Sequence, residues 1–397
     1  MHYFHNVNIY YTIINPKAPV SLNIIHIYYI IYLMWLIIIL VVTLISFITF
    51  GAILKKRYRI DLINLPKFLN AQKTKTIRRS LSKSEKFLEK INLETFDGSG
   101  GTTHPYILFL EKPFNHFHYY LAHTPYDNNN IEYENPSLAV SNDGYNFQIP
   151  EGIKNPLLPI IKRNPKLKKP KFYNDNFLFY ENDTLELWYR YTEEDKTGQE
   201  LKAKSRIYRI MSKDGIHFSE PELILDYSDN WYLSPSLIKI KNTYYLYFYN
   251  QDYKCYYKTS QNLKDWSASN PVEINNFTNN CWHGEVKIFE GQIYHLLLSK
   301  DYKLYLCVAD INSPNHFTSC EELDFPYSDQ NLIYGFTHPY KSSFWIKDGY
   351  IDLYIPFAVN TLRYFKIRGI KHIKWTITYS HLKLTTLKKI SKSKINS

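Results

Sequence analysis

His104-Pro105-Tyr106-Ile107-Leu108-Phe109-Leu110, His118-Tyr119-Tyr120-Leu121-Ala122-His123 and Pro136-Ser137-Leu138-Ala139-Val140-Ser141 are three apolar runs within residues 103–147, closed by Asn142-Asp143-Gly144-Tyr145-Asn146-Phe147. Short runs rich in aromatic and β-branched residues, bounded by Pro, Asn, Asp and Gly, read as antiparallel strands. The Asp-Gly pair supplies the positive φ of a tight turn. The reading decides the fold because the chain repeats the unit.

The closing turn recurs as Ser212-Lys213-Asp214-Gly215-Ile216-His217-Phe218 and as Ser260-Gln261-Asn262-Leu263-Lys264-Asp265-Trp266. A degraded fourth copy spans Asp310 to Phe317. Copies are spaced by about 50 to 70 residues, the period of a propeller blade with loop insertions. Further strand groups open near Phe172, Tyr232, Trp282 and Thr337. Five units of three or four strands predict an all-β, five-bladed β-propeller over residues 100–384. The 37 Tyr and 23 Phe suit stacked sheets and clefts that stack on sugar rings.

Ahead of the repeats, Ile24 to Leu54 is almost wholly apolar, and Met34 to Leu54 carries no charge. That length meets the ~20 residues of a membrane-spanning helix. The reading is an extension over 1–33, a transmembrane helix over 34–54 in contact with membrane lipid, and a basic juxtamembrane linker over 55–99. A cleaved signal is disfavoured, since no small-x-small site follows and the run is long. Lys55 to Lys90 holds 12 basic and 3 acidic residues. This charge argues for a cytoplasmic C-terminal side or for attraction to anionic head groups, so the side of the membrane stays open. Asp97-Gly98-Ser99-Gly100-Gly101 is a flexible joint without the Lys-Ser/Thr of a phosphate loop.

The net charge of +11 resides at the ends, including a basic tail over 385–397, and residues 101–381 sum to about −2. A nucleic-acid surface needs basic residues on the body, so no nucleic-acid partner is expected. Cys255, Cys281, Cys307 and Cys320 lack zinc spacing. Cys255 and Cys307 fall in strand-like runs and read as free buried thiols, while a Cys281–Cys320 bridge is conceivable. No metal and no cofactor is expected.

At these residues the chain resembles the five-bladed propellers of family 43 glycoside hydrolases and their furanosidase relatives, over roughly Gly100 to Leu384. The resemblance implies three carboxylates at the funnel, from the starts of blades one, two and three. His104-Pro105 stands where the family's Asp-Pro base belongs, Asp175 matches the second Asp, and Leu233-Ser234-Pro235 occupies the place of the acid Glu. Glycoside cleavage needs one carboxyl to protonate the leaving oxygen and another group to activate water or attack carbon. The candidate catalytic residues are therefore Asp175, Glu285 and Glu134, with Glu285 as acid and Asp175 as base or pKa-tuning group. His104, Asn135, Ser234, Trp282, His283, His338, Tyr340 and Lys341 are expected to bind substrate, with Tyr106 and Trp231 as further aromatic walls. The expected function is carbohydrate processing, as a glycoside hydrolase or related enzyme on a cell-surface or capsular-type polysaccharide. The alternatives are a non-catalytic glycan-binding or assembly propeller, favoured by the missing blade-three Glu, and a protein-interaction platform.

Overall fold

The computed structural model describes residues 22–58, 81–161, 171–197, 200–226, 231–277, 279–323, 336–360 and 373–386. The N-terminal extension up to residue 21, the basic stretch over 59–80 and the tail from 387 lie outside the described residues. The chain divides into two compact units, residues 1–65 and 66–397.

In the first unit, α1 (Leu22–Tyr58) carries the apolar run. Its window Ile27–Phe50 is 24 residues long with mean hydropathy 2.9, sufficient by length and composition to cross a membrane or to serve as a signal sequence. A helix satisfies its own backbone, and the Thr43 and Thr49 hydroxyls donate to the Ile39 and Ile45 carbonyls one turn back. The apolar window starts at Ile27 rather than at Met34, through which the helix runs unbroken.

The second unit is a ring of five antiparallel sheets, and β1 (Lys86–Lys90) precedes the first of them. Blade one holds β2 (Thr102–Phe114), β3 (Phe117–Pro125) and β4 (Ser137–Ser141). Blade two holds β5 (Lys171–Glu181), β6 (Thr184–Thr197), β7 (Glu200–Ser212) and β8 (Glu222–Leu225). Blade three holds β9 (Leu233–Ile240), β10 (Thr243–Tyr249), β11 (Cys255–Ser260) and β12 (Asn270–Pro271). In blade four, β13 (Glu273–Ile274) lies parallel on the outer edge of the sheet formed by β14 (Cys281–Phe289), β15 (Gln292–Ser299), β16 (Leu304–Asp310) and β17 (His316–Leu323). Blade five holds β18 (Phe336–Pro339), β19 (Ser343–Lys347), β20 (Tyr350–Asn360) and β21 (Ile373–Lys383).

The inner strands touch in the cyclic order β2, β5, β9, β14, β19 and back to β2, so the sheets are radial. β1, which lies inside the stretch read as linker, pairs with β21 and completes blade five. A strand from before blade one thus closes the ring and removes an exposed edge. The core is distributed between blades. Tyr120, Phe177 and Trp188 pack where blades one to three meet, Val286 and Phe317 pack with Tyr247 between three and four, and Ile107 packs with Tyr354 between one and five.

The repeated turn has one hydrogen-bond plan. Asp143 Oδ1 accepts the Tyr145 and Asn146 amides at 2.9 and 2.7 Å. Asp214 Oδ1 does the same for Ile216 and His217 at 2.9 and 2.8 Å. Asn262 Oδ1 does so for Lys264 and Asp265, both at 2.9 Å. The residue after each acceptor has positive φ, and Gly144 and Gly215 meet this at no steric cost. The cysteine reading changes: Cys307 and Cys320 face each other across β16 and β17 and are disulfide-bonded, while Cys255 and Cys281 are free and buried. Loop lengths alone did not reveal that cross-strand register.

Candidate functional site

Every inner strand carries one extra residue near the same end of the ring. Thr103 pairs with Thr124 and Tyr106 with Ala122, so the chain bulges at His104-Pro105. The same offset falls at Asp175-Asn176 and at Ser234-Pro235. In blade four it falls at Trp282, and in blade five at Tyr340-Lys341-Ser342, between β18 and β19. A bulge re-aims side chains that regular alternation would send elsewhere. His104, Asp175 and Ser234 have φ of 49°, 49° and 52°, left-handed values that cost an L-residue free energy and concentrate at functional sites.

The bulges converge on Asp175. Arg190 Nη2 lies 2.8 Å from Asp175 Oδ2, and Lys341 Nζ lies 3.7 Å from Oδ1. His283 Nδ1 and His104 Nε2 lie 3.7 and 4.0 Å from the same Oδ1. Asp175 and Lys341 are 0% exposed, His283 1% and His104 2%. Burial works against the Asp175 anion, but the Arg190 and Lys341 cations outweigh it and hold the carboxyl well below its usual range. Burial drives His104 down to about 3 and His283 well below an ordinary histidine, with Asp175 offsetting part of the effect. Both imidazoles are therefore neutral.

Glu134 comes from the loop between β3 and β4. Burial, and then the Asp175 charge, push its carboxyl well above the usual range, which favours the protonated acid. Its Oε2 has no hydrogen-bond partner, and neither do Asn135 Oδ1, Asn176 Oδ1 or either ring nitrogen of His283. Buried polar atoms are normally satisfied, so this group is an unmet set of donors and acceptors. Arg190 and Lys341 crowd the carboxylate that would draw a cation. No group of three His, Cys, Asp or Glu arranged for a metal ion occurs among the described residues.

Alternation along β14 puts His283, Glu285 and Lys287 on one face. Glu285 thus faces the axis below the bulge tier, tied to Lys287 at 2.5 Å and to the Ser343 hydroxyl at 2.8 Å. Lys287 also donates to the Phe344 carbonyl at 2.8 Å and lies over the Tyr106 ring. Burial raises Glu285, but its tie to Lys287 opposes the shift. Ser234 hydrogen-bonds both backbone groups of Gly284, linking blades three and four, and Asn135 donates to the Leu158 carbonyl. Gly284 is required here, because a Cβ would collide with Tyr249 Oη, itself bonded to His295.

Above the charged tier sit aromatic rings. Tyr340 lies 4.6 Å from His283, 5.2 Å from His104, 5.4 Å from Trp282 and 5.0 Å from Trp375. His338 packs on Tyr302 at 4.2 Å and on Trp375 at 5.6 Å. Thus Asp175, His104, His283, Lys341, Tyr340 and Trp282 assemble in one place, with Glu134 coupled to Asp175 electrostatically. Sequence reasoning missed Arg190, Tyr126, Tyr302 and Trp375. A lone Arg inside Leu187-Trp188-Tyr189-Arg190-Tyr191 was the available signal for the first. Trp231, read as an aromatic wall, packs its ring edge-on to Tyr253 at 6.1 Å, and its carbonyl accepts from Arg190 Nη1 at 3.2 Å.

No protein-family model matches the sequence. A curated relative, the A type blood N-acetyl-alpha-D-galactosamine deacetylase of Flavonifractor plautii, is 30% identical over 122 residues. The match covers 30% of this chain and 14% of that protein, so only a small part of the relative is spanned. Among solved structures, an N-acetylgalactosamine deacetylase from F. plautii, in complex with blood group B trisaccharide, superposes with TM-score 0.62 at 17% identity, covering 79% of this chain and 99% of that one. A family 32 beta-fructofuranosidase of Bombyx mori gives TM-score 0.48 at 14% identity, covering 81% and 68% of the two chains. The propeller expected from the resemblance is present, and the first superposition shows the fold.

Proposed function

We propose that the propeller is a glycan-acting hydrolase whose funnel cuts the acetamide of an N-acetylated amino sugar. The observation that carries this reading is the buried cluster of Asp175, His104 and His283 where the bulges converge, with Glu134 coupled to Asp175 from the β3–β4 loop; the burial and charges there favour an ionised Asp175, a protonated Glu134 and neutral imidazoles. The deacetylase relative supports the choice of bond. Neutral His283, with both nitrogens unpaired, accepts a proton from water as its oxygen attacks the acetamide carbonyl carbon. Asp175, held ionised by Arg190 and Lys341, stabilises the imidazolium. Glu134 protonates the leaving nitrogen as the C–N bond breaks, giving acetic acid, which ionises in solvent, and a free amine. The imidazolium proton then restores Glu134. Glu285, anchored to Lys287, serves the axis rather than the chemistry. A second reading, glycosidic cleavage, is favoured by the same pairing of a protonated and an ionised carboxyl.

Helix α1 would anchor the enzyme in a lipid bilayer, and the Cys307–Cys320 disulfide supports a body on the oxidising side. Protease shaving of intact cells tests sidedness, since a body resistant until lysis contradicts this placement. Full-length protein incubated with N-acetylhexosamine-containing glycans distinguishes the two reactions. Acetate release supports amide hydrolysis, new reducing ends support glycosidic cleavage, and neither product overturns the hydrolase reading. Glu134→Gln and His283→Gln are each expected to lower kcat by about 10²–10⁴-fold, the range for general acid–base groups.

A further inference from the structure

Seven aromatic rings form a closed circuit beside the polar tier. Tyr126 stacks near Trp375 at 6.2 Å, Trp375 meets His338 at 5.6 Å, His338 meets Tyr302 at 4.2 Å, and Tyr302 meets Trp282 at 5.3 Å. Trp282 stacks on His283 at 5.4 Å, and His104, 5.9 Å from His283, lies 6.3 Å from Tyr126, which closes the circuit. The Tyr340 ring sits inside this collar, touching Trp282, Trp375, His104 and His283.

Tyr340 belongs to neither β18 nor β19 but to the three-residue bulge between them. Its backbone is fixed by a 2.9 Å bond from its amide to the Pro356 carbonyl. Tyr340 is only partly buried, whereas the collar members His104 and His283, and Asp175 and Glu134 beside them, are almost inaccessible. A substrate therefore reaches the unpaired acceptors only by moving what lies above them, and a side-chain rotation on a pinned backbone is a cheap way to do so.

Resting on the hydrolase reading above, we propose that the collar is a pyranose-stacking subsite and that the Tyr340 ring is its displaceable plug. A pyranose is a flat body of similar breadth to a phenol ring. One face presents C–H groups to aromatic walls, and its hydroxyls both donate and accept, as the unpaired atoms of Asn135, Asn176 and His283 below demand. A fully anionic ligand fits worse, since both cations of the tier are already engaged by Asp175.

The test uses full-length protein in detergent, with binding of an N-acetylhexosamine glycan measured in the Glu134→Gln background so that turnover does not interfere. Tyr340→Ala should tighten binding severalfold, because the resident ring no longer competes. Tyr302→Ala, at a rim position 38% exposed and safe for folding, should weaken binding fivefold or more. Weakened binding in Tyr340→Ala, or unchanged binding in Tyr302→Ala, overturns the plug and collar. Either can happen while the single Glu134→Gln variant still loses turnover, so this inference can fail with the hydrolase reading intact. Conversely, full turnover by Glu134→Gln sinks the proposed chemistry without touching the subsite.

Discussion

Asp175→Asn keeps the shape of the side chain and removes the charge on which two buried cations converge. Arg190 lies at 2.8 Å and Lys341 at 3.7 Å. At an effective dielectric of about 20, these separations correspond to gross attractions of ~6 and ~4 kcal/mol. Desolvation of the ions cancels most of that, so the intact cluster contributes little net stability. Breaking it is different, because two uncompensated cations remain in a dry site, at a cost of about 3–5 kcal/mol. Measured by urea unfolding of the detergent-solubilised full chain with tryptophan fluorescence, the variant should lose stability on that scale. Adding Arg190→Met removes one orphaned cation and should recover about 1–3 kcal/mol, a coupling visible in a double-mutant cycle. The pH dependence has a fixed sign. Asp175 has a depressed folded pKa, so its contribution is present above the usual carboxylate range and fades as the pH falls below about 4. Wild type should lose stability there more steeply than Asp175→Asn. A single variant within about 1 kcal/mol of wild type, or a double variant showing no coupling, would refute the buried-charge argument.

Catalysis should depend on pH with the opposite slope: Glu134 has a raised pKa, so kcat/KM falls as pH rises through it, and Glu134→Gln removes that limb from the residual rate profile. Gly284→Ala should cost about 1–3 kcal/mol by overpacking against Tyr249 and His295, and Tyr249→Phe should restore part of it, as read by thermal unfolding. Phe87 of the closing strand is 1% exposed, so Phe87→Ala should cost about 3–5 kcal/mol although it lies outside the repeats. A loss below about 1 kcal/mol would mean that β1 does not seal the ring. Cys255 and Cys281 should resist maleimide until urea unfolds the chain, because burial raises both thiols, Cys281 to about 12.

What was legible in the sequence follows local chemistry. The turns at Asp143, Asp214 and Asn262 announce themselves through residues adjacent in the chain, and together with the intervening strand groups they give the number of blades. The closing strand was not legible. Lys86-Phe87-Leu88-Glu89-Lys90 has no neighbouring partner strand, and its pairing with β21 spans nearly the whole propeller. Arg190 was missed for a different reason: its partner Asp175 lies on the adjacent strand, but at a bulge that no turn motif marks.

The bulges also explain how the site could be half-read. Motif position identified His104, Asp175 and Ser234 because each stands where the family's carboxylates belong, and all of them do lie at the offset tier. Position does not reveal what a side chain is bonded to. Ser234 sits in the tier yet spends its hydroxyl on Gly284, and Glu285 faces the axis yet is held by Lys287 one alternation below. Glu134, from a loop outside the inner strands, feels the Asp175 charge and keeps an unpaired oxygen. The ring therefore fixes where groups converge, while desolvation and pairing decide which of them remain available for chemistry. Burial raises both Glu134 and Glu285, but Glu285 is tied to Lys287 whereas Glu134 keeps an unpaired oxygen, which is why the proposed chemistry takes its proton from Glu134.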